Sequence, residues 1–118
     1  MYYDESNTST SSLKSKAWDG KEKEQEYIPV GCITLNEFIN MEVDLLKMDI
    51  EGLENEVLLN SKKALKYVSN IIFEFHYSKL GSFDKMLKFL KSCGFYIKEN
   101  SKPKVGEMCI VKCSRYKF

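Results

Sequence analysis

No stretch of the 118-residue sequence approaches the roughly 20 consecutive apolar residues that cross a bilayer, which excludes a membrane-spanning helix on length alone. The opening MYYDESNTSTSS has neither a basic flank nor an apolar centre, so no secretory signal is read and a cytoplasmic location is the default expectation. Four cysteines, Cys32, Cys93, Cys109 and Cys113, contain no CxxC pair and no histidine at zinc-ligand spacing. Free, buried thiols are expected, and a structural disulfide is disfavoured in a reducing compartment. The lysine-rich second half lacks the interleaved arginines and aromatics of a base-reading surface, which argues against nucleic acid. Six glycines are present, none in a nucleotide-cradling loop, and no internal repeat appears.

What is present is an ordinary globular balance, with 43% hydrophobic and 30% charged residues. The net charge of +1 conceals an asymmetry. Residues 1–60 hold 5 Lys against 13 acids, whereas residues 61–118 hold 12 Lys and 1 Arg against 4 acids. An anionic partner would exploit such a split, but lysines coating the solvent faces of two helices are the simpler and favoured explanation.

The chain divides at residue 26. Residues 1–26 form a polar lead-in with a Ser/Thr cluster, the charge run KEKEQE, a short strand at Tyr2–Tyr3 and an isolated apolar anchor in Trp18. Residues 27–118 form the domain. Extended YIPVGC precedes TLNEF, which fits a capping box of Thr34 with Glu37 and leaves Leu35, Phe38 and Ile39 to pack. Met41–Ile50 reads as a strand buried on both faces. Gly52 turns the chain into a helix from Glu54, carried by Val57, Leu58, Ser61, Leu65 and Val68. NIIFEFHY is the next strand. Ser82 caps a helix whose apolar face is Phe83, Met86, Leu87, Leu90 and Cys93, and Gly94 stops it. FYIKE and MCIVKC are two more strands, joined by the turn-rich NSKPKVGE. The order β-α-β-α-β-β predicts an α/β fold with parallel strands and an antiparallel last strand.

Two strand ends are acidic. Asp49 and Glu51 are two apart, so both lean to one side. Glu54 sits in the first turn of the following helix, where a carboxylate suits the helix dipole. Glu74 and His76 alternate with Phe73 and Phe75 and share the face opposite them. If the strands are neighbours these groups converge, and mutually repelling carboxylates need a cation, a donor-rich ligand or a shared proton. The simpler readings are a helix-start Glu54, a Glu74 paired with a lysine of the Lys62–Lys66 stretch, and an ordinary hydrogen-bonded His76.

ITLNEFIN, followed by DLLKMDIEGLENEVLLNSKKAL and IIFEFH, resembles the FkbM family of S-adenosylmethionine-dependent methyltransferases over about Val30 to Tyr96. YYDESNTSTSSL looks like the Ser-rich stretch that precedes this block, and Asn60 departs from the family's usual glycine. The resemblance implies the second half of a Rossmann-like class I methyltransferase fold. It implies methyl transfer to a hydroxyl of a small-molecule acceptor, a sugar or glycan or a secondary metabolite. On motif matching, Asp49, Glu51 and His76 are the catalytic candidates, and Glu54 and Glu74 the substrate-binding ones. His76 serves as base by intrinsic pKa, Asp49 orients the hydroxyl, and Glu51 and Glu74 take further hydroxyls or a divalent metal such as magnesium or manganese. The family's glycine-rich cofactor loop has no counterpart, so a fragment is expected and the cofactor-binding residues are unknown. The alternative is a non-catalytic remnant that binds a carbohydrate or a partner protein.

A fragment of this kind leaves the Met41–Ile50 strand without its neighbour. Unpaired strand edges recruit other chains, so self-association is expected unless MYYD, the one candidate cover strand, lies along it.

Overall fold

A computed structural model describes residues 2–3, 11–12, 29–76, 83–99 and 107–118. Trp18, the charge run, the start of YIPVGC, Tyr77, Ser82 and most of NSKPKVGE lie outside the described residues. The expected strand at Tyr2–Tyr3 (β1) is present and pairs antiparallel with Ser11–Ser12 (β2). These strands form a sheet of their own, so MYYD does not cover the edge for which it was the candidate.

The capping box starts helix α1, Leu35–Phe38. Glu37 Oε2 accepts hydrogen bonds from the Thr34 amide and hydroxyl, each at 2.9 Å. One helical turn is too short to bury everything that follows. Ile39 enters the core and Leu35 is half-buried, but Phe38 is 69% exposed, contrary to expectation. Strand β3, Val43–Met48, is shorter than Met41–Ile50 and is not buried on both faces. It forms the edge of its sheet, and Leu45 is 52% exposed.

Helix α2 spans Glu54–Leu59 and does not run on to Val68. Asn60 and Ser61 bond their side chains back to the carbonyls of Glu56 and Val57, an alternative to further helix that short polar side chains favour. Asn36 fixes the break: its amide nitrogen donates to Asn60 O at 2.7 Å, and its oxygen accepts from Ala64 N–H at 2.9 Å. A 3₁₀ turn, Ala64–Tyr67, then delivers Val68 directly into strand β4, Val68–His76.

Helix α3, Phe83–Ser92, buries Phe83, Met86, Leu87 and Leu90, as its spacing predicts, while Cys93 is half-buried. Gly94, at φ 90°, ends it. Its N–H bonds Lys91 O and that of Phe95 bonds Leu90 O, the paired bonds of a Schellman stop. Strands β5, Tyr96–Glu99, and β6, Met108–Ser114, complete the sheet in the order β3-β4-β6-β5. β3 and β4 are parallel, and β6 lies antiparallel between β4 and β5, so the last strand runs as predicted. The protein is therefore a mixed α/β fold.

Strand register separates two faces. Met48, Ile71, Phe73, Phe75, Cys109, Val111 and Cys113 point into the core beneath the helices. Phe75 packs against Phe83 in a tilted pair, 4.9 Å between ring centroids. Phe73, Phe75 and Phe83 are almost fully enclosed, each worth about 1.5–3 kcal/mol of transfer free energy. The opposite face leaves Leu45, Met108 and Ile110 exposed. Cys109 and Cys113 are buried as expected, four residues apart on one face of β6, whereas Cys32 is exposed.

Arg115 closes the end of the sheet away from the acidic strand tips. Its guanidinium donates to the carbonyls of Val68, Cys93 and Leu65 at 2.9, 3.1 and 2.6 Å and lies over the Phe95 ring at 4.6 Å. Among the described residues no helix is long and apolar enough to cross a membrane.

Candidate functional site

Because β3 and β4 are parallel, their carboxyl ends lie side by side, with Met48 opposite Phe73. Asp49, one residue past β3, is thus level with Glu74, and His76 stands one pleat further on the same face. Phe73 and Phe75 occupy the other face, as alternation predicts, while Glu74 and His76 are half-buried.

The turn after β3 brings two more carboxylates to His76. Glu51 adopts φ 51° and Gly52 φ 93°, two successive left-handed residues that reverse the chain sharply into α2. For glutamate that conformation costs on the order of 1–3 kcal/mol, and such strain concentrates at functional sites. Glu51 Oε2 comes within 3.4 Å of His76 Nε2. Glu54, the first residue of α2, turns its carboxylate inward and is 1% exposed. Its Oε1 accepts the Gly52 N–H at 3.0 Å and lies 3.1 Å from His76 Nδ1.

The five residues singled out in the sequence therefore come together, but not in equivalent positions. Glu54, expected to touch substrate, is enclosed beneath His76 and braces its ring. An ionised carboxylate only accepts hydrogen bonds, so Nδ1 carries the proton and Nε2 turns toward Glu51 and the open side. Glu74 pairs with no lysine among the described residues. Asp49, Glu74 and His76 each offer one ligand atom, and these atoms lie within 4.8 Å of one another. His76 thus stands between two carboxylates with two more close by.

A groove of about 750 Å³ adjoins this cluster along the free edge of β3. Leu35, Leu46, Met48, Ile50 and Val57 line its apolar part, and Asp49 belongs to both groove and cluster. No local pattern announced the groove, because it arises from the spacing between α1, α2 and β3. Asp49 is the residue through which a ligand lying in the groove would meet the acid/base groups.

Neither a curated protein nor a solved structure shows detectable similarity to the chain. The family profile of the methyltransferase FkbM domain matches residues 2–97, a span reaching from the first short strand through both acidic strand ends to β5. With most of its length and every residue of the cluster inside that match, the chain belongs to the FkbM methyltransferase domain family.

Proposed function

We propose that this domain serves the acceptor side of S-adenosylmethionine-dependent methyl transfer to a hydroxyl oxygen, on a sugar or a hydroxylated secondary metabolite. Family membership supports methyl transfer, and the single observation carrying the acceptor role is the His76 arrangement, braced by buried Glu54 and open toward Glu51, Asp49 and Glu74. The order β3-β4-β6-β5, with its antiparallel β6, supports reading the sheet as the second half of a Rossmann-like class I methyltransferase sheet.

S-adenosylmethionine, when bound, supplies an already activated methyl group. The residues of this chain act on the acceptor. Asp49 accepts a hydrogen bond from the hydroxyl and fixes its direction, while Glu74 holds a neighbouring hydroxyl. The Glu51–His76 pair receives the proton as the oxygen attacks. Orientation of this kind, combined with proton removal, is what an activated donor leaves for the protein to provide.

The test is transfer of a labelled methyl group from S-adenosylmethionine to a panel of monosaccharides and hydroxylated metabolites. The domain joined to the cofactor-binding half of a family relative should label an acceptor, and Asp49→Ala or His76→Ala in that protein should reduce the rate by a factor of about 10² with an unchanged circular dichroism spectrum. Label transfer at wild-type rate by both variants would overturn the assignment. Carbohydrate binding without transfer would favour the non-catalytic reading.

A further inference from the structure

We propose that Asp49, Glu74 and His76 form a binding site for one divalent transition-metal cation of the Mn²⁺/Zn²⁺ class, with Glu54 as the outer carboxylate that fixes the histidine ring. Three observations meet here. The first is the donor set. Two carboxylate oxygens and one imidazole nitrogen, from the adjacent ends of β3 and β4, already lie within 4.8 Å of one another. Ligand bonds of about 2.0–2.2 Å put donors on one ion roughly 3–4 Å apart, so a modest rotation of exposed Asp49 closes the set.

The second is the ring's orientation. Metal-ligating histidines characteristically donate their other N–H to a carboxylate, which fixes the tautomer and strengthens the ligand. Glu54, 1% exposed and 3.1 Å from Nδ1, occupies that position. With the proton on Nδ1, the Nε2 lone pair is left to bind a cation.

The third is charge. Glu51 approaches Nε2 at 3.4 Å while Glu54 holds Nδ1, so both ring nitrogens face acceptors. A neutral imidazole has one donor and satisfies only one of them. A cation on Nε2 supplies the missing positive charge and relieves the repulsion among Asp49, Glu51 and Glu74 together. Asp49 and Glu74 have no side-chain partner, lysine included, among the described residues. The imidazole donor selects a borderline ion over magnesium or calcium, which prefer all-oxygen shells.

The inference rests on the geometry of the candidate site and not on methyl transfer. With the cation present, His76 acts as a ligand and Glu51 alone remains to take a proton. Binding is therefore measured without S-adenosylmethionine or acceptor, so that failure here and failure of the methyl-transfer reading are told apart.

The experiment titrates the 118-residue chain with Mn²⁺ by electron paramagnetic resonance. Saturation at one ion per chain is expected. His76→Ala, Glu74→Gln and Asp49→Asn should each weaken binding at least about tenfold, and Glu54→Gln by about 10- to 100-fold. Asp44→Asn, an exposed acid at the far end of β3, should bind as wild type. In a parallel nitrogen-15 spectrum, Zn²⁺ should shift Nε2 of His76, the protein's single histidine, more than Nδ1. Circular dichroism checks each variant; should His76→Ala or Glu54→Gln unfold, Glu74→Gln and Asp49→Asn decide. Absence of saturable binding, or an Asp44→Asn loss equal to that of Glu74→Gln, would overturn the proposal by reducing it to diffuse attraction between acids and cations.

Discussion

His76 Nδ1 lies 3.1 Å from Oε1 of Glu54, a carboxylate with 1% of its surface exposed, and this contact joins the end of β4 to the start of α2. It makes a direct prediction about protonation. The neutral ring should carry its proton on Nδ1, the minority tautomer of a free histidine. In metal-free protein the nitrogen-15 shifts of the one imidazole read this without assignment ambiguity. Glu54→Leu removes the acceptor and should return the ring toward the Nε2–H form. An Nε2–H ring in the wild type would disprove the arrangement.

Glu51 provides a second test. Its φ of 51° disfavours any residue with a Cβ, least of all asparagine and most of all a β-branched side chain. Glu51→Asn should leave stability within about 0.5 kcal/mol of wild type, whereas Glu51→Val should lose about 1–3 kcal/mol in urea denaturation. Equal midpoints for the two would mean that the turn relaxes.

A third concerns Arg115, which satisfies three carbonyls from separate segments. Hydrogen bonds from a charged donor contribute about 1.5–3 kcal/mol each, though not additively. Arg115→Ala should lower the unfolding free energy by about 2–4 kcal/mol, since partly buried carbonyls are left without a donor. Arg115→Lys should rescue little of this, because an ammonium has no fork to span the three. Gly94→Ala should be destabilising for a related reason: φ is 90°, and the new methyl would sit 3.1 Å from the Arg115 guanidinium.

The fourth is a pH effect at α1. The Thr34 amide, and secondarily its hydroxyl, hold the Glu37 carboxyl below its ordinary range. A folded-state pKa below the unfolded one contributes stability that is fully present above the unfolded value, about 4.3 for glutamate, and is lost as pH falls through the folded one. The protection factors of the Phe38 and Ile39 amides, exchange rates taken relative to an unstructured peptide at the same pH, should therefore fall on acidification below that range. In Glu37→Gln the protection should be low at neutral pH already and unchanged by acid.

Local patterns carried much of this fold. The face of α3 was legible because Phe83, Met86, Leu87 and Leu90 repeat every three or four residues, and period two placed Glu74 and His76 opposite Phe73 and Phe75. Where patterns failed, the deciding partner was remote in sequence. The helix expected to reach Val68 breaks at Asn60 because Asn36, 24 residues earlier, takes up the loose carbonyl. β3 reads as doubly buried from its apolar density, but neighbours decide burial, and its outer edge has none among the described strands. For the site, composition pointed to convergence at the strand ends. It carried no information on which carboxylate would be enclosed, because that depends on how α2 docks beneath His76.

The position of β6 also governs the order in which the molecule can be made. Among the described strands β5 meets the sheet only through β6, the later of the two in sequence. On the ribosome, β3, α2 and β4 can dock as soon as they emerge, being near neighbours in sequence. β5 must wait with nothing to pair to, and the β4 edge stays open beside it, until Met108–Ser114 has left the exit tunnel. The final strand then joins both at once, Ile110 pairing with Glu74 from 36 positions back and Val111 with Glu99 from 12, so closure is a single late event. Translation stalled before Met108 would leave a chain with two unsatisfied strands, a form suited to capture by chaperones.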